Sequence, residues 1–142
     1  MHKRYKHGFK SIRISLRFIV GIHDYSRNQE EKEAFYHGVL LGILVQNNVG
    51  NRYEVQSNKE AGLGYGDILI RDYQNKIGVI IENKYASSMK DMQPASIEAL
   101  KQIEDNRYED YFSTGFHIRK IGIGFYKKAC RVSALKENST PA

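Results

Sequence analysis

Two carboxylates and a lysine stand out because they fall at the ends of strongly apolar runs. Asp67 opens the run Asp67-Ile68-Leu69-Ile70, and after a polar turn the run Val79-Ile80-Ile81 ends on Glu82-Asn83-Lys84. Both runs have the near-continuous apolar character of interior strands. Glu82 and Lys84 are two residues apart and therefore share a face. Charges at the end of a buried strand are costly unless they are paired or bound to a metal. If Gln74 and Asn75 form the centre of a hairpin, Ile77 pairs with Asp72, Val79 with Ile70 and Glu82 with Asp67. Directly opposed residues carry Cβ atoms about 4.5–5.5 Å apart, and carboxylates that close repel unless a cation lies between them. Oxygen ligands suit Mg²⁺, which binds through one or two carboxylates plus substrate phosphate, and Mn²⁺ is the natural substitute. Lys84 can then orient an attacking water or stabilise charge developing on a phosphoryl group. The pairing depends on the length of the turn. On spacing alone, an ion pair of Lys84 with Asp67 or Glu82 is the commoner use of such residues.

The elements that must position this set can be read from periodicity and punctuation. Residues Ile12, Ile14, Leu16, Phe18, Val20 and Ile22 alternate with mostly polar neighbours, a strand pattern over 12–22. Ser26, three residues before Gln29, resembles a capping box that opens a helix to about Asn47. The helix carries Phe35, Tyr36, Val39, Leu40, Ile43 and Leu44 as its apolar stripe. Strands follow over 52–57, 67–72 and 76–84, with a glycine-rich loop over 58–66 between the first two. Pro94 suits the first turn of a second helix running to about Asp110. Strands over 116–126 and 129–134 complete an α-β-β-β-α-β-β order behind an extra N-terminal strand. The divisions expected are a basic segment with a strand over 1–23, one domain over 24–135, and a polar tail over 136–142.

A length of 142 residues fits a single domain. The one cysteine, Cys130, excludes an intrachain disulfide and reads as a buried strand thiol. The apolar stretch near the start is broken by Arg13 and Arg17, unlike a secretory leader, and no run reaches transmembrane length. A cytoplasmic protein is the expectation. The formal net charge of +6 is unevenly spread. Lys3, Arg4, Lys6, Lys10, Arg13 and Arg17 account for all of it, with no acid before residue 20. A second acid-free basic stretch holds Arg119, Lys120, Lys127, Lys128, Arg131 and Lys136. Lys3, Arg4, Lys6, Lys10, Arg119, Lys120, Lys127 and Lys128 are thus candidates for phosphate contact, although charge alone equally fits a solvated surface.

Wider context carries a resemblance. Phe35-Tyr36-His37-Gly38, then Tyr53-Glu54-Val55-Gln56-Ser57-Asn58, then Glu60-Ala61-Gly62-Leu63-Gly64-Tyr65-Gly66-Asp67, and finally Ile80-Ile81-Glu82-Asn83-Lys84 follow one another with fitting gaps. The ordered set resembles the PD-(D/E)XK nuclease superfamily, in particular the nuclease-like domain usually found after an AAA-ATPase-like domain in bacterial proteins. The resemblance spans roughly residues 24–134. It implies an α/β, restriction-endonuclease-like core, a mixed central sheet flanked by helices, and a divalent metal. It also implies Asp67 and Glu82 as metal ligands and Lys84 as the catalytic lysine. Two positions depart from the pattern: Tyr65 stands where the family often has Arg, and Asn83 where it often has Phe. Asn83 should point to the other face from Glu82 and Lys84. No ATPase-like stretch lies within these residues: the chain is either a stand-alone version or a remnant of a longer protein, and a separate AAA-ATPase-like protein is a candidate partner.

Three further residues gain a second reading from the resemblance. Glu33 lies one turn before His37, where the superfamily often places another acid near the metal; in the run Glu30-Glu31-Lys32-Glu33 a solvated charge is the plainer account. His37 fits the family pattern and equally fits a hydrogen-bonded packing residue. Gln102, with Tyr108 following, resembles residues flanking related sites and could hold a water or phosphate, or simply face solvent. Gly62, Gly64 and Gly66 lack the Gly-Lys-Ser/Thr of a P-loop and suit a close backbone approach beside Asp67. Tyr85 is either a stacking platform for a base or a core-boundary aromatic. The expected activity is Mg²⁺-dependent phosphodiester hydrolysis, in DNA. The alternative is a non-cleaving module of the same fold that binds nucleic acid or regulates a partner ATPase.

Overall fold

The computed structural model describes residues 28–57, 68–106 and 111–135, together with the backbone of residues 10–15. In chain order the elements are β1 (Lys10–Ser15), α1 (Gln29–Gln46), β2 (Glu54–Ser57), β3 (Ile68–Asp72), β4 (Ile77–Tyr85), α2 (Met92–Asn106), β5 (His117–Tyr126) and β6 (Ala129–Ala134). This is the order expected from the sequence. The first strand begins at Lys10 instead of Ile12, and the later part of the expected strand lies outside the described residues.

Helix α1 starts from a different cap than the sequence pattern implied. Asn28, in an extended conformation, accepts from the Glu31 N–H at 2.8 Å, so Asn28 replaces Ser26 as the N-cap; Asn is as effective as Ser in that role. Glu30 and Glu31 sit in the first turn, where the helix dipole favours negative charge. At the other end the Asn47 side chain donates to the Ile43 carbonyl at 2.7 Å. Helix α2 begins at Met92, two residues before Pro94. Pro94 stays in the first turn, where its missing N–H has no partner to lose.

The six strands form one mixed sheet in the order β1-β6-β5-β4-β3-β2. β4 and β5 run parallel and are joined through α2, while the other neighbouring pairs are antiparallel. The β3–β4 hairpin pairs Asp72 with Ile77, Ile70 with Val79 and Ile68 with Ile81, the register expected for a turn centred on Gln74-Asn75. The Asp72 carboxylate holds that turn, accepting from Asn75 N at 3.0 Å and from Asn75 Nδ2 at 2.8 Å. The Asn75 side chain is also the main cause that keeps the Asp72 carboxyl below the ordinary carboxylate range. Lys76 completes the turn at φ 55°.

Alternation along the central strands divides the core between two helices. Ile68, Ile81, Tyr85, Ile123, Phe125 and Cys130 pack with Tyr36 and the apolar face of α1, with Ile70 and Val79 at the margin. Tyr36 stacks on Phe125, ring centroids 4.3 Å apart, and on Tyr85 at 5.7 Å. On the other side Leu69 and Ile80 pack with Leu100, Ile103 and Phe112. Cys130 is buried on β6, as the sequence implied. Helix α2 buries Met92, Ala95, Ser96, Ala99, Leu100 and Ile103, a stripe at helical spacing.

Candidate active site at the end of the central strand

Glu82 and Lys84 lie on β4, which is flanked by β3 and β5. They continue the alternation of Ile80 and so share the α2 face. Across the parallel pair Glu82 faces Gly122 and Lys84 faces Gly124. These two glycines have no side chain to lift α2 away from the sheet. A Cβ on Gly122 would overlap the Ser96 carbonyl oxygen and lie 2.8 Å from Leu100 N; one on Gly124 would overlap the Met92 carbonyl oxygen and lie 3.0 Å from Ser96 N. The helix backbone therefore rests directly on β5 beside the two charged residues. Alternate glycines inside a strand are a readable signal of such close approach, one that the apolar periodicity of β5 does not carry.

Burial makes Glu82 an unusual carboxylate. The residue is 5% exposed, and its Oε2 has no hydrogen-bond partner among the described residues. A buried carboxylate oxygen without a donor is expensive, and the usual remedy is a cation. Lys84 is half-buried and makes no ion pair among the described residues. The structural ion pair that spacing alone favoured is thus not formed between Lys84 and Glu82. Asp67 lies outside the described residues, as do the glycine loop, Tyr65, Tyr108, Lys3, Arg4 and Lys6.

The opposite face of the strand end is laced to α1. Asn83 is buried and donates through Nδ2 to the Glu33 carbonyl at 3.0 Å. The Glu33 carboxylate accepts from Tyr85 N at 3.1 Å and from Gln29 Nε2 at 3.3 Å, and Gln29 Nε2 also reaches the Tyr85 carbonyl at 3.1 Å. These bonds bracket Lys84 on both sides and hold its backbone. Glu33 thus reaches the strand end from the α1 side with one carboxylate oxygen engaged by backbone. Asn83 does face away from Glu82 and Lys84, as expected, yet it ties the helix to the strand. Tyr85 is buried against Tyr36, which favours its packing role over base stacking.

The remaining candidates are dispersed. His37 is buried with Nε2 at 2.8 Å from Ser57 Oγ, joining α1 to the end of β2. Gln102 is half-buried on α2, on the flank that helical spacing shares with Ala95 and Ala99. Lys120 pairs with Glu104 at 2.8 Å, and Arg119 points to the other face of β5. Both stand near the start of β5, whereas Lys127 and Lys128 form the β5–β6 turn at its far end, roughly 25 Å away at about 3.3 Å per residue. The basic residues of this stretch are therefore split between two ends of the sheet. Lys10 begins β1, paired with Ala134 at the sheet edge. No group of three or more His, Cys, Asp or Glu side chains suited to a metal occurs among the described residues.

The model of the PD-(D/E)XK nuclease superfamily matches residues 31–134, from the first turn of α1 to the end of β6. The chain belongs to that superfamily. No curated protein and no solved structure gives a match. The mixed sheet between helices is the restriction-endonuclease-like PD-(D/E)XK fold, and β1 lies outside the matched residues as an addition to it. The matched residues include Glu82, Asn83 and Lys84. PD-(D/E)XK nucleases generally use divalent metal ions, and the donor-free Oε2 of Glu82 fits such a group. Among the described residues no helix is long and apolar enough to cross a membrane.

Proposed function

We propose that this PD-(D/E)XK protein is a Mg²⁺-dependent nuclease that hydrolyses phosphodiester bonds in DNA. The observation that carries the proposal is the buried Glu82 Oε2, without a hydrogen-bond partner among the described residues, two residues from Lys84, which shares its strand face and makes no ion pair among them. The hairpin register also supports it. Continued by one residue past Ile68 and Ile81, that register would bring Asp67 opposite Glu82. Asp67 and Glu82 would hold the metal, which supplies Lewis acidity toward the phosphate. Lys84 donates hydrogen bonds toward the phosphate oxygens or the attacking water, favouring the charge that builds up in the transition state. Glu33, Asn83 and Gln29 keep the Lys84 backbone from moving as it does so.

The test is a cleavage assay on plasmid and single-stranded substrates with Mg²⁺, Mn²⁺ or EDTA, alongside Mn²⁺ titration followed by electron paramagnetic resonance. Wild type should cleave with either metal and not with EDTA. Glu82→Gln should lose Mn²⁺ binding, and Lys84→Ala should keep it while losing cleavage. Undiminished cleavage by folded Lys84→Ala would remove that residue from the mechanism. Nucleic-acid binding without cleavage by the wild type would establish the non-cleaving alternative.

A further inference from the structure

Immediately past Lys84, at the carboxyl ends of the parallel strands β4 and β5, a cleft of about 280 Å³ opens between the start of α1 and the β5–β6 turn. Crevices at the carboxyl ends of parallel strands are the usual ligand sites of α/β sheets. This one is lined by Lys32, Lys127, Tyr85, Tyr126, Gln29, Ser87 and Ala86, with no carboxylate among the described residues of its wall. The Lys32 ammonium stands 4.8 Å from the Tyr85 ring centroid and that of Lys127 stands 5.3 Å from the Tyr126 centroid. Neither lysine makes an ion pair among the described residues. Two ammonium groups facing one cleft, without an acid among the described residues of its wall and with the neighbouring Glu33 carboxylate already held by Tyr85 N and Gln29 Nε2, make it a site for an anion.

The turn that carries Lys127 supports the same reading. Lys127 and Lys128 form a two-residue connection between the paired residues Tyr126 and Ala129, and Lys127 sits at φ 51°. Such positions favour Gly, Asn or Asp, and a lysine there is held against its backbone preference. Two tyrosines hold it in place: Lys127 N donates to Tyr85 Oη at 3.3 Å, and Tyr36 Oη donates to the Lys127 carbonyl. Burial, with the nearby Tyr85 and Cys130, pushes the Tyr36 hydroxyl up to about 12, so it remains a donor at any physiological pH. The strained backbone sets the lysine at the rim of the cleft, a position at which the turn residues Gly, Asn and Asp would supply no positive charge.

We propose that this cleft seats one nucleotide of the substrate strand, its phosphodiester held between Lys32 and Lys127 and its sugar against Tyr126, next to the phosphate engaged by Lys84. The inference rests on the nuclease reading above, and it adds a substrate subsite that reading does not contain. A volume near the lower end of the roughly 300–1,000 Å³ of small-molecule sites admits a phosphate and its sugar but not a duplex. A strand crossing the ends of β4 and β5 would meet Lys84 on the α2 side and the cleft on the α1 side.

The test is equilibrium binding of a labelled single-stranded oligonucleotide in EDTA, where no cleavage occurs, across a salt series. Lys32→Ala and Lys127→Ala should each make the plot of log K against log salt shallower by roughly 0.7, and the double variant by about twice that. Lys90→Ala, an exposed lysine in the turn before α2, should leave the slope unchanged. A wild-type slope in the folded double variant overturns the subsite, whether or not the protein cleaves. A shallower slope in a protein that fails to cleave with Mg²⁺ upholds the subsite while the hydrolytic reading falls. A mononucleotide that binds as tightly as the oligonucleotide would overturn the assignment to a strand.

Discussion

Replacing Gly124 by alanine tests whether helix α2 truly rests on β5 beside Lys84. In an ordinary strand the change would be favourable by roughly 0.5–1 kcal/mol, because glycine loses more backbone freedom on folding. Here the new methyl would overlap the Met92 carbonyl oxygen and stand 3.0 Å from Ser96 N. Both are helix backbone, which cannot rotate aside as a side chain can. Restoring ordinary contact requires α2 to move out by about 1 Å, and overpacking of this kind costs typically 1–3 kcal/mol. The displacement also loosens the contacts of Met92, Ser96 and Leu100, all buried, so the upper end of that range applies. The net destabilisation expected is about 2 kcal/mol. At a urea m-value near 2 kcal/mol/M for a small domain, the unfolding midpoint should fall by about 1 M. Gly122→Ala should behave alike, since its Cβ would overlap the Ser96 carbonyl oxygen. Gly42→Ala is the control of opposite sign: on exposed α1 surface, with nothing within 4 Å of the added methyl, it should stabilise by about 0.5–1 kcal/mol. A Gly124→Ala protein as stable as wild type, measured by urea unfolding, would refute the close packing of α2 on β5.

Two other outcomes can be measured, one from the buried Tyr36 and one from the charge of residues 1–9. The Tyr36 hydroxyl, raised to about 12 mainly by burial, ionises less readily folded than unfolded. Its contribution is therefore fully present below about pH 10 and is lost as pH rises from there through about 12, on the order of 2–3 kcal/mol in all. Tyr36→Phe should flatten that alkaline decline in a pH series of urea unfolding; an unchanged decline would assign it to other groups. Deleting residues 1–9 removes Lys3, Arg4 and Lys6 while sparing β1, and should make the salt dependence of duplex binding shallower by up to about 2 to 3. An unchanged slope would mean that segment does not touch phosphate.

The order of helices and strands was legible in the sequence because each element advertises itself through its own period. The β3–β4 register was legible too, since an even turn built on Asp72 and Asn75 leaves one pairing that keeps Ile68, Ile70, Val79 and Ile81 on a common face. Glu82 and Lys84 could be singled out because charge at the end of an apolar strand asks for a reason. Other features arise only when distant segments meet. That Glu82 Oε2 lacks a donor among the described residues depends on what α2 and the neighbouring strands bring to it. That Lys120 is spent on Glu104 while Lys127 lines a cleft depends on opposite ends of β5 meeting different partners. Local pattern reports which face a side chain occupies, because the backbone period sets that within a few residues. What stands opposite that face is settled by long-range packing: Gly122 and Gly124 admit the α2 backbone to the floor beside Glu82 and Lys84, and Glu33 reaches across from α1 to hold the strand end.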